Sequence, residues 1–294
     1  MPKRTTSRVE QASAAALPNP PQNPSYFPFA AYASAVGVHT SLHAFSALFV
    51  PQTPGIVEFI SPGLDPSLVS SKDRPQAEFL DALTRSPVAT LVCICCGAVV
   101  LQSWWGGWIR AWRIDSLLQG SGDEKKVARA RVNARRLVDM RDAWLATVIA
   151  SSLFFFVLVL MGAPLTSHLA QTYLLSLLLA LLTTYVPTYT FGSPLSGSIA
   201  RLTYTRLFAD LSSRTPVERA ILYPSVGTVI GSWIGAIPIA LDWDRPWQAW
   251  PLTPATGAIA GYILASIAAL TASSVRFSAD EHIRSLASGK SKTT

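Results

Sequence analysis

Three groups of side chains in this chain have types and spacings that could do chemistry. His39 and His43 stand one helical turn apart, so on a helix both imidazoles share a face and could ligate a metal. No third ligand is evident, and two polar core histidines are the commoner use of such a pair. Cys93, Cys95 and Cys96 are the only cysteines and lie in one hydrophobic run, so they cannot form a disulfide framework. They read as small apolar fillers of a helix interface rather than as a metal or redox site. Asp242, Asp244 and Arg245 are the polar content of a short loop rich in tryptophan and proline. Two carboxylates could hold a divalent cation, but such a site needs more oxygen ligands than the loop supplies, so neither a metal nor another cofactor is expected. Two readings stay open for this loop: an ion pair that pins it, or a contact with a lipid headgroup or a partner.

The familiar catalytic signatures are absent. The sequence holds no P-loop, no HExxH and no nucleophile elbow, and it lacks the paired-aspartate motif of membrane CDP-alcohol phosphotransferases. Apart from the two histidines no ionisable side chain falls near the middle of an apolar span, which disfavours a proton-driven transporter. A non-catalytic membrane subunit is the default expectation.

The elements that position these residues are membrane helices. Half of the 294 residues are apolar and only 14% are charged, with a mean hydropathy of +0.32, more than one soluble core of this size carries. Crossing a bilayer as a helix takes about 20 apolar residues. Six stretches qualify: 29–50, 87–109, 143–162, 169–186, 217–241 and 255–275. The expected fold is therefore all-α, a polytopic membrane domain over 29–275. Residues 1–28, polar and Pro-rich without the apolar core of a signal peptide, are expected to be a disordered arm. Residues 276–294 form a C-terminal tail.

An even number of spans puts both termini on one side, and loop charge decides which. With the N-terminus inside, cytosolic segments hold 20 Lys and Arg against 4 in the lumenal loops, which predicts cytosolic termini and a lumenal Asp242 loop. The first lumenal loop, 51–86, is Pro-rich with weak periodicity and is expected to be irregular. The basic run after Ser121 and Glu124, spaced as a capping box, predicts a helix leading into the third span, with Arg129, Arg131, Arg135 and Arg136 near anionic headgroups. Without aromatic interleaving or a soluble binding fold, this charge orients the chain in the membrane, and no nucleic-acid partner is expected. Ser193 and Pro194 predict a short interfacial helix over about 194–211 with Ile199, Leu202 and Phe208 toward the membrane, and Thr215, Pro216 and Glu218 repeat the cap before span five.

Spans five and six carry a packing code. Gly227, Gly231 and Gly235 form a GxxxGxxxG ladder, and Gly257, Gly261, Ala265 and Ala269 a ladder of the same period. The two spans are expected to pack on each other or on a partner's helices. Lys290 and Lys292, fifth and third from the C-terminus, are spaced like the dilysine retrieval signal of endoplasmic reticulum membrane proteins.

The block from Gly231 to Thr253, GSWIGAIPIALDWDRPWQAWPLT, places Trp233, Trp243, Trp247 and Trp250 among helix-breaking prolines, the composition of a membrane–water interface. At this block, and most specifically at Leu241 to Pro251, the sequence resembles the PIG-F family of glycosylphosphatidylinositol (GPI) anchor biosynthesis. The resemblance runs over about 191–275, while the first four spans match in hydropathy and number. It implies a multi-pass endoplasmic reticulum protein that binds and stabilises catalytic GPI ethanolamine phosphate transferases, which move phosphoethanolamine from phosphatidylethanolamine to GPI mannoses. The Asp242, Trp243, Asp244, Arg245, Trp247 and Trp250 loop would then be a docking or headgroup surface with no catalytic residue. The alternative is a protein that itself handles phosphatidylethanolamine or a GPI intermediate, as a presenter, flippase or transferase.

Overall fold

The computed structural model of the chain describes residues 27–53, 55, 59–60, 77–117, 122–195, 197–241 and 243–291. Residues 1–26 of the expected N-terminal arm, most of the first long loop, Ser121, Asp242 and Lys292 therefore lie outside the described residues, whereas Phe27, assigned to that disordered arm, is buried against the bundle. The described chain is all-α: α1 (Phe29–Leu48), α2 (Glu78–Arg85), α3 (Pro87–Leu117), α4 (Gly122–Ala134), α5 (Arg136–Leu160), α6 (Leu169–Phe191), α7 (Ser198–Tyr204), α8 (Pro216–Ala236) and α9 (Leu252–Ser291). Six of these, α1, α3, α5, α6, α8 and α9, are long and apolar enough to cross a membrane, so this is a multi-pass membrane protein.

Several helices outrun the apolar stretches that mark them. α3 continues past Ile109 to Leu117, α5 starts at Arg136 ahead of Ala143, and α9 runs 40 residues to Ser291. At about 1.5 Å per residue α9 is about 60 Å long, twice the hydrocarbon thickness of a bilayer. Hydropathy marks only the part of a helix that sits in lipid, whereas backbone hydrogen bonding carries on into charged sequence. The short helix α2 lies in a region expected to be irregular. Its two turns are too brief for periodicity to stand out, yet Leu83 is buried and its carbonyl accepts from Thr90 Oγ1 at 2.8 Å, while Ser86 Oγ accepts from the Ala89 N–H at 3.2 Å to start α3.

Helix α6 is the buried centre of the bundle, with Leu175, Leu178, Leu181 and Tyr185 fully enclosed. It widens into a π turn over Leu181–Tyr185 immediately before Pro187. Proline has no N–H to donate and its ring would press on the carbonyl four residues back, so the wider turn accommodates the break without ending the helix. Gly192, at φ +86°, stops it.

The tightest pairing joins α8 to α9. A Cβ placed on Gly231 would sit 2.2 Å from the Gly257 carbonyl oxygen, one on Gly227 2.5 Å from that of Gly261, and one on Gly235 2.3 Å from that of Thr253. From the other side, a Cβ on Gly257 would meet the Gly231 carbonyl at 2.3 Å and one on Gly261 the Gly227 carbonyl at 2.1 Å. The two ladders thus face one another within the chain. Of the two expectations for them, an internal hairpin or a partner's helices, the geometry is that of the hairpin.

Polar contacts tie the other helices to this pair. Gln102 on α3 bridges His43 on α1 (Nε2 to Nε2, 3.2 Å) and Tyr262 on α9, whose hydroxyl donates to Gln102 Oε1 at 3.4 Å. His39 stacks on Trp105 at 4.7 Å. The histidines are thus core residues in a polar seam, and among the described residues no three His, Cys, Asp or Glu side chains converge as a metal site. Cys93 and Cys95 are buried in the packing. At one end of the bundle Phe27 packs on Phe277, ring centroids 5.1 Å apart, so the described chain enters and leaves on the same face.

The cap before α8 forms in full. The Glu218 N–H donates to Thr215 Oγ1 at 3.2 Å while Glu218 Oε2 accepts from the Thr215 N–H at 3.4 Å and the Arg214 N–H at 2.7 Å. Arg206 adds a two-pronged ion pair to the same carboxylate, at 2.6 and 3.0 Å, and the carboxylate holds the Arg206 guanidinium above its ordinary pKa. The interfacial helix starts later than the Ser193–Pro194 signal implies, at Ser198, because Ser193 Oγ accepts from the Leu195 N–H in a local turn. It ends in a π turn, Thr205–Ala209, that buries Leu207 completely. Ile199 and Leu202 face outward, but Phe208 is half-buried, stacked on Tyr204 at 5.6 Å.

Two outcomes are expected. Gly231→Ala will lower the unfolding temperature in detergent, costing about 1–3 kcal/mol, because the added methyl lands on backbone that cannot turn aside; Gly37→Ala, where a Cβ meets nothing within 4 Å, will leave it unchanged or raise it slightly. Glu218→Ala will cost about 2–4 kcal/mol in the same melt, since it strips the helix cap and leaves a half-buried guanidinium unpaired. Glu281→Ala, which removes an exposed ion pair with Arg284, will cost less than about 0.5 kcal/mol.

Candidate functional site

The Gly231–Thr253 block folds as the turn of the glycine hairpin. α8 tightens into a 3₁₀ turn, Ile237–Ala240, at Pro238, the chain reverses, and a second 3₁₀ turn, Pro246–Gln248, leads into α9. Among the described residues, which leave out Asp242, no carboxylate lies within salt-bridge reach of the Arg245 guanidinium. Gln248 pins the loop. Its Oε1 accepts from the Arg245 N–H at 2.7 Å, and its Nε2 donates to the carbonyls of Pro238 at 2.6 Å and Leu241 at 2.9 Å. Gln248 was not singled out in the sequence, where a lone Gln in a loop carries no signal; only its position three residues after Arg245, before a new helix, hints at a capping role.

The tryptophans divide by task. Trp243 is half exposed and meets Trp247 edge to face at 5.8 Å, while Trp233 projects from α8, 70% exposed. Trp250 turns inward. Its indole N–H donates to Thr172 Oγ1 on α6 at 3.0 Å, and that hydroxyl lies 3.1 Å from the carbonyls of both Pro164 and His168. The hairpin turn and the α5–α6 turn are thereby joined into one surface. Asp244 sits at φ +48°, a left-handed conformation that Asp and Asn tolerate better than other side chains.

Beneath this surface lies an apolar cavity of about 550 Å³ between α5, α6 and α8, with Phe154, Met161, Leu175, Trp233, Ile239 and Trp250 in its wall. A second, of about 460 Å³, continues along α8 past Thr183, Thr184, Tyr204 and Phe208. Phe154 and Val229 line both, so the two form one groove along the bundle. Such a wall offers dispersion contacts to an acyl chain or an apolar helix and has no group to activate a nucleophile. Tyr204, at the far end, is held protonated, its pKa pushed up to about 12 by burial, while its hydroxyl donates to Thr188 Oγ1 at 3.2 Å.

The remaining sites expected from the sequence are elsewhere. The ladder glycines lie inside the α8–α9 contact and are not a surface. The backbone of Lys290 lies in the last turn of α9. Of the basic run, Arg129 pairs with Asp115 at 2.5 Å and Arg136 donates to the Tyr189 hydroxyl at 3.3 Å, so part of that charge serves contacts within the bundle.

Known proteins with similar sequences are consistent in kind. The chain is 43% identical over 122 residues to "Glycosylphosphatidylinositol anchor biosynthesis protein 11" of Debaryomyces hansenii, covering 42% of this chain and 50% of that one. It is 42% identical over 121 residues to a "PIGF/3-ketodihydrosphingosine reductase fusion protein" of Schizosaccharomyces pombe, covering 41% and 23%. It is 33% identical over 110 residues to the human "GPI ethanolamine phosphate transferase, stabilizing subunit", covering 37% and 48%. The aligned part thus spans about half the length of the first of these and of the human protein. No solved structure matches. The family described as "GPI biosynthesis protein family Pig-F" matches residues 75–270. That match reaches well N-terminal of the stretch whose resemblance was legible by motif, taking in α3 to α6 and leaving α1 outside. With more than half of its length matched, this chain belongs to the PIG-F family.

Proposed function

We propose that this chain is the non-catalytic, stabilising subunit of a GPI ethanolamine phosphate transferase in the endoplasmic reticulum membrane. Membership of the PIG-F family, with relatives named as stabilising subunits, carries the reading. The Trp243–Trp250 turn supports it by presenting aromatic contact area suited to a protein partner. The catalytic transferase is the partner, and the turn is where it docks, with Trp243 and Trp247 as anchors and the acids of the loop as polar rim. In this reading both termini are cytosolic, the turn is lumenal, and Lys290 and Lys292 form a cytosolic retrieval signal. A second reading, favoured by the apolar groove below Trp250, is that the subunit holds phosphatidylethanolamine or a GPI intermediate for its partner. Transfer of phosphoethanolamine by the lone purified chain would overturn the accessory role.

Two experiments test the proposal. Asp244→Asn keeps a residue suited to the left-handed turn and removes only the charge, so with Trp243→Ala it will reduce co-purification of the transferase in mild detergent several-fold. If the variants assemble at normal yield but turn over at background rate, the loop belongs to the active site instead. Single cysteines introduced at Ser285 and at Trp243 in a chain cleared of native cysteines will label from opposite sides of intact microsomes; labelling from one side refutes the topology.

A further inference from the structure

At the opposite end of the bundle from the tryptophan turn, a cavity of about 490 Å³ opens between the end of α3, the start of α5 and the end of α6. Its wall carries three guanidinium groups, Arg110, Arg113 and Arg135, and one carboxylate, Asp139. We propose that this cavity binds the phosphate of an anionic phospholipid. The inference does not rest on the transferase reading, since it concerns only the chain's own wall.

Charge is the first argument. Asp139 accepts from Arg110 Nη2 at 2.5 Å, and no other carboxylate is within 4 Å of Arg113 or Arg135 among the described residues. The wall is left with a surplus of two positive charges, which matches a phosphate group of charge −1 to −2. Preorganisation is the second argument. Arg110 Nη1 donates to the Tyr189 carbonyl at 2.9 Å and Arg113 Nη1 to that of Thr190, the last turn of α6, and the two guanidinium groups lie over the Tyr189 and Phe191 rings at 5.0 and 4.7 Å. Capping carbonyls at a helix C-terminus is a structural use for an arginine. It consumes one N–H of Arg113 and leaves the rest of a rigid, oriented fork, the geometry that takes phosphate in a bidentate grip. Capping also gives no role to Arg135, which joins the wall from the turn between α4 and α5.

The amphiphilic character of the ligand follows from the rest of the wall. Ile114, Leu117 and Phe191 stand beside the arginines, and Leu117 is 65% exposed. Arg110 is the first charge after the long apolar stretch of α3, so the arginines stand where a bilayer changes from hydrocarbon to headgroup. A soluble phosphate would use the arginines alone, whereas a phospholipid also uses the apolar wall.

The test uses the full chain purified in mild detergent, titrated separately with dioleoyl phosphatidic acid, dioleoyl phosphatidylcholine and inorganic phosphate, with binding read by native mass spectrometry and thermal shift. Phosphatidic acid is expected to bind and to raise the unfolding temperature, and Arg113→Gln/Arg135→Gln to weaken it at least tenfold while leaving phosphatidylcholine unaffected. Arg284→Gln, an equal loss of charge elsewhere, is expected to change neither. Arg135→Gln alone replaces an exposed side chain and so reads out binding, at least threefold weaker, even where the double variant does not fold. Unchanged phosphatidic acid binding in Arg135→Gln and the double variant overturns the site, and a thermal shift with inorganic phosphate equal to that with lipid overturns the phospholipid as its ligand.

Discussion

The backbone-on-backbone contact of α8 and α9 is the constraint on which the rest of the structure depends. Lipid tails are as apolar as the side chains they would displace, so helices in a bilayer gain little from burying leucine and associate where backbones come close enough for dense dispersion contact. Gly227, Gly231 and Gly235 meet Gly257 and Gly261 with no room for a single carbon between them. Once that contact is made, the connecting turn is short and its ends are set. The turn is held in place because the hairpin below it cannot slide: a shift of one residue would bring side chains onto the opposing carbonyls.

The other helices pack on this hairpin through apolar clusters, and buried polar groups that must be matched fix their register. Gln102 serves His43 and Tyr262 together, which registers α1 and α3 against α9; Trp250 joins the turn to α6 through Thr172; within the hairpin itself Arg219 on α8 donates to Ser273 Oγ on α9 at 2.9 Å. Each bond is modest, but a buried donor or acceptor left without its partner costs more than the bond returns, so such contacts specify which neighbour a helix accepts. The two ends of the bundle differ in the same terms. One offers aromatic surface above an apolar groove, and the other offers guanidinium groups fixed on the last carbonyls of α6. Protein docking suits the first and anion binding the second.

Much of the fold was legible in the sequence because the signals were local. Apolar length marks a span wherever it occurs, a four-residue repeat of glycine marks a face of close approach, and Thr215 with Glu218 spells a cap within one turn. The same locality explains what was misplaced. Ser193 and Pro194 carry cap grammar without a helix behind them, since Gly197 intervenes, and Phe208, expected to face the membrane with Ile199 and Leu202, is half-buried against Tyr204 because a π turn takes that segment out of the α-helical register. Gln248, which carries no local signal, links the Arg245 N–H to the carbonyls of Pro238 and Leu241 across the loop.

By itself the sequence determined an all-α membrane chain with six spans, the glycine faces of two of them and the tryptophan turn between, since each depends on residues within a few turns of one another. Only the tertiary structure decided what those glycines touch, that Trp250 belongs to Thr172, that the histidines belong to a seam with Gln102 and Tyr262, and that Arg110, Arg113 and Arg135 converge on one cavity. Those contacts join residues tens to more than a hundred positions apart. In a bilayer every helix satisfies its own backbone, so nothing in one span's sequence says which other span will lie beside it.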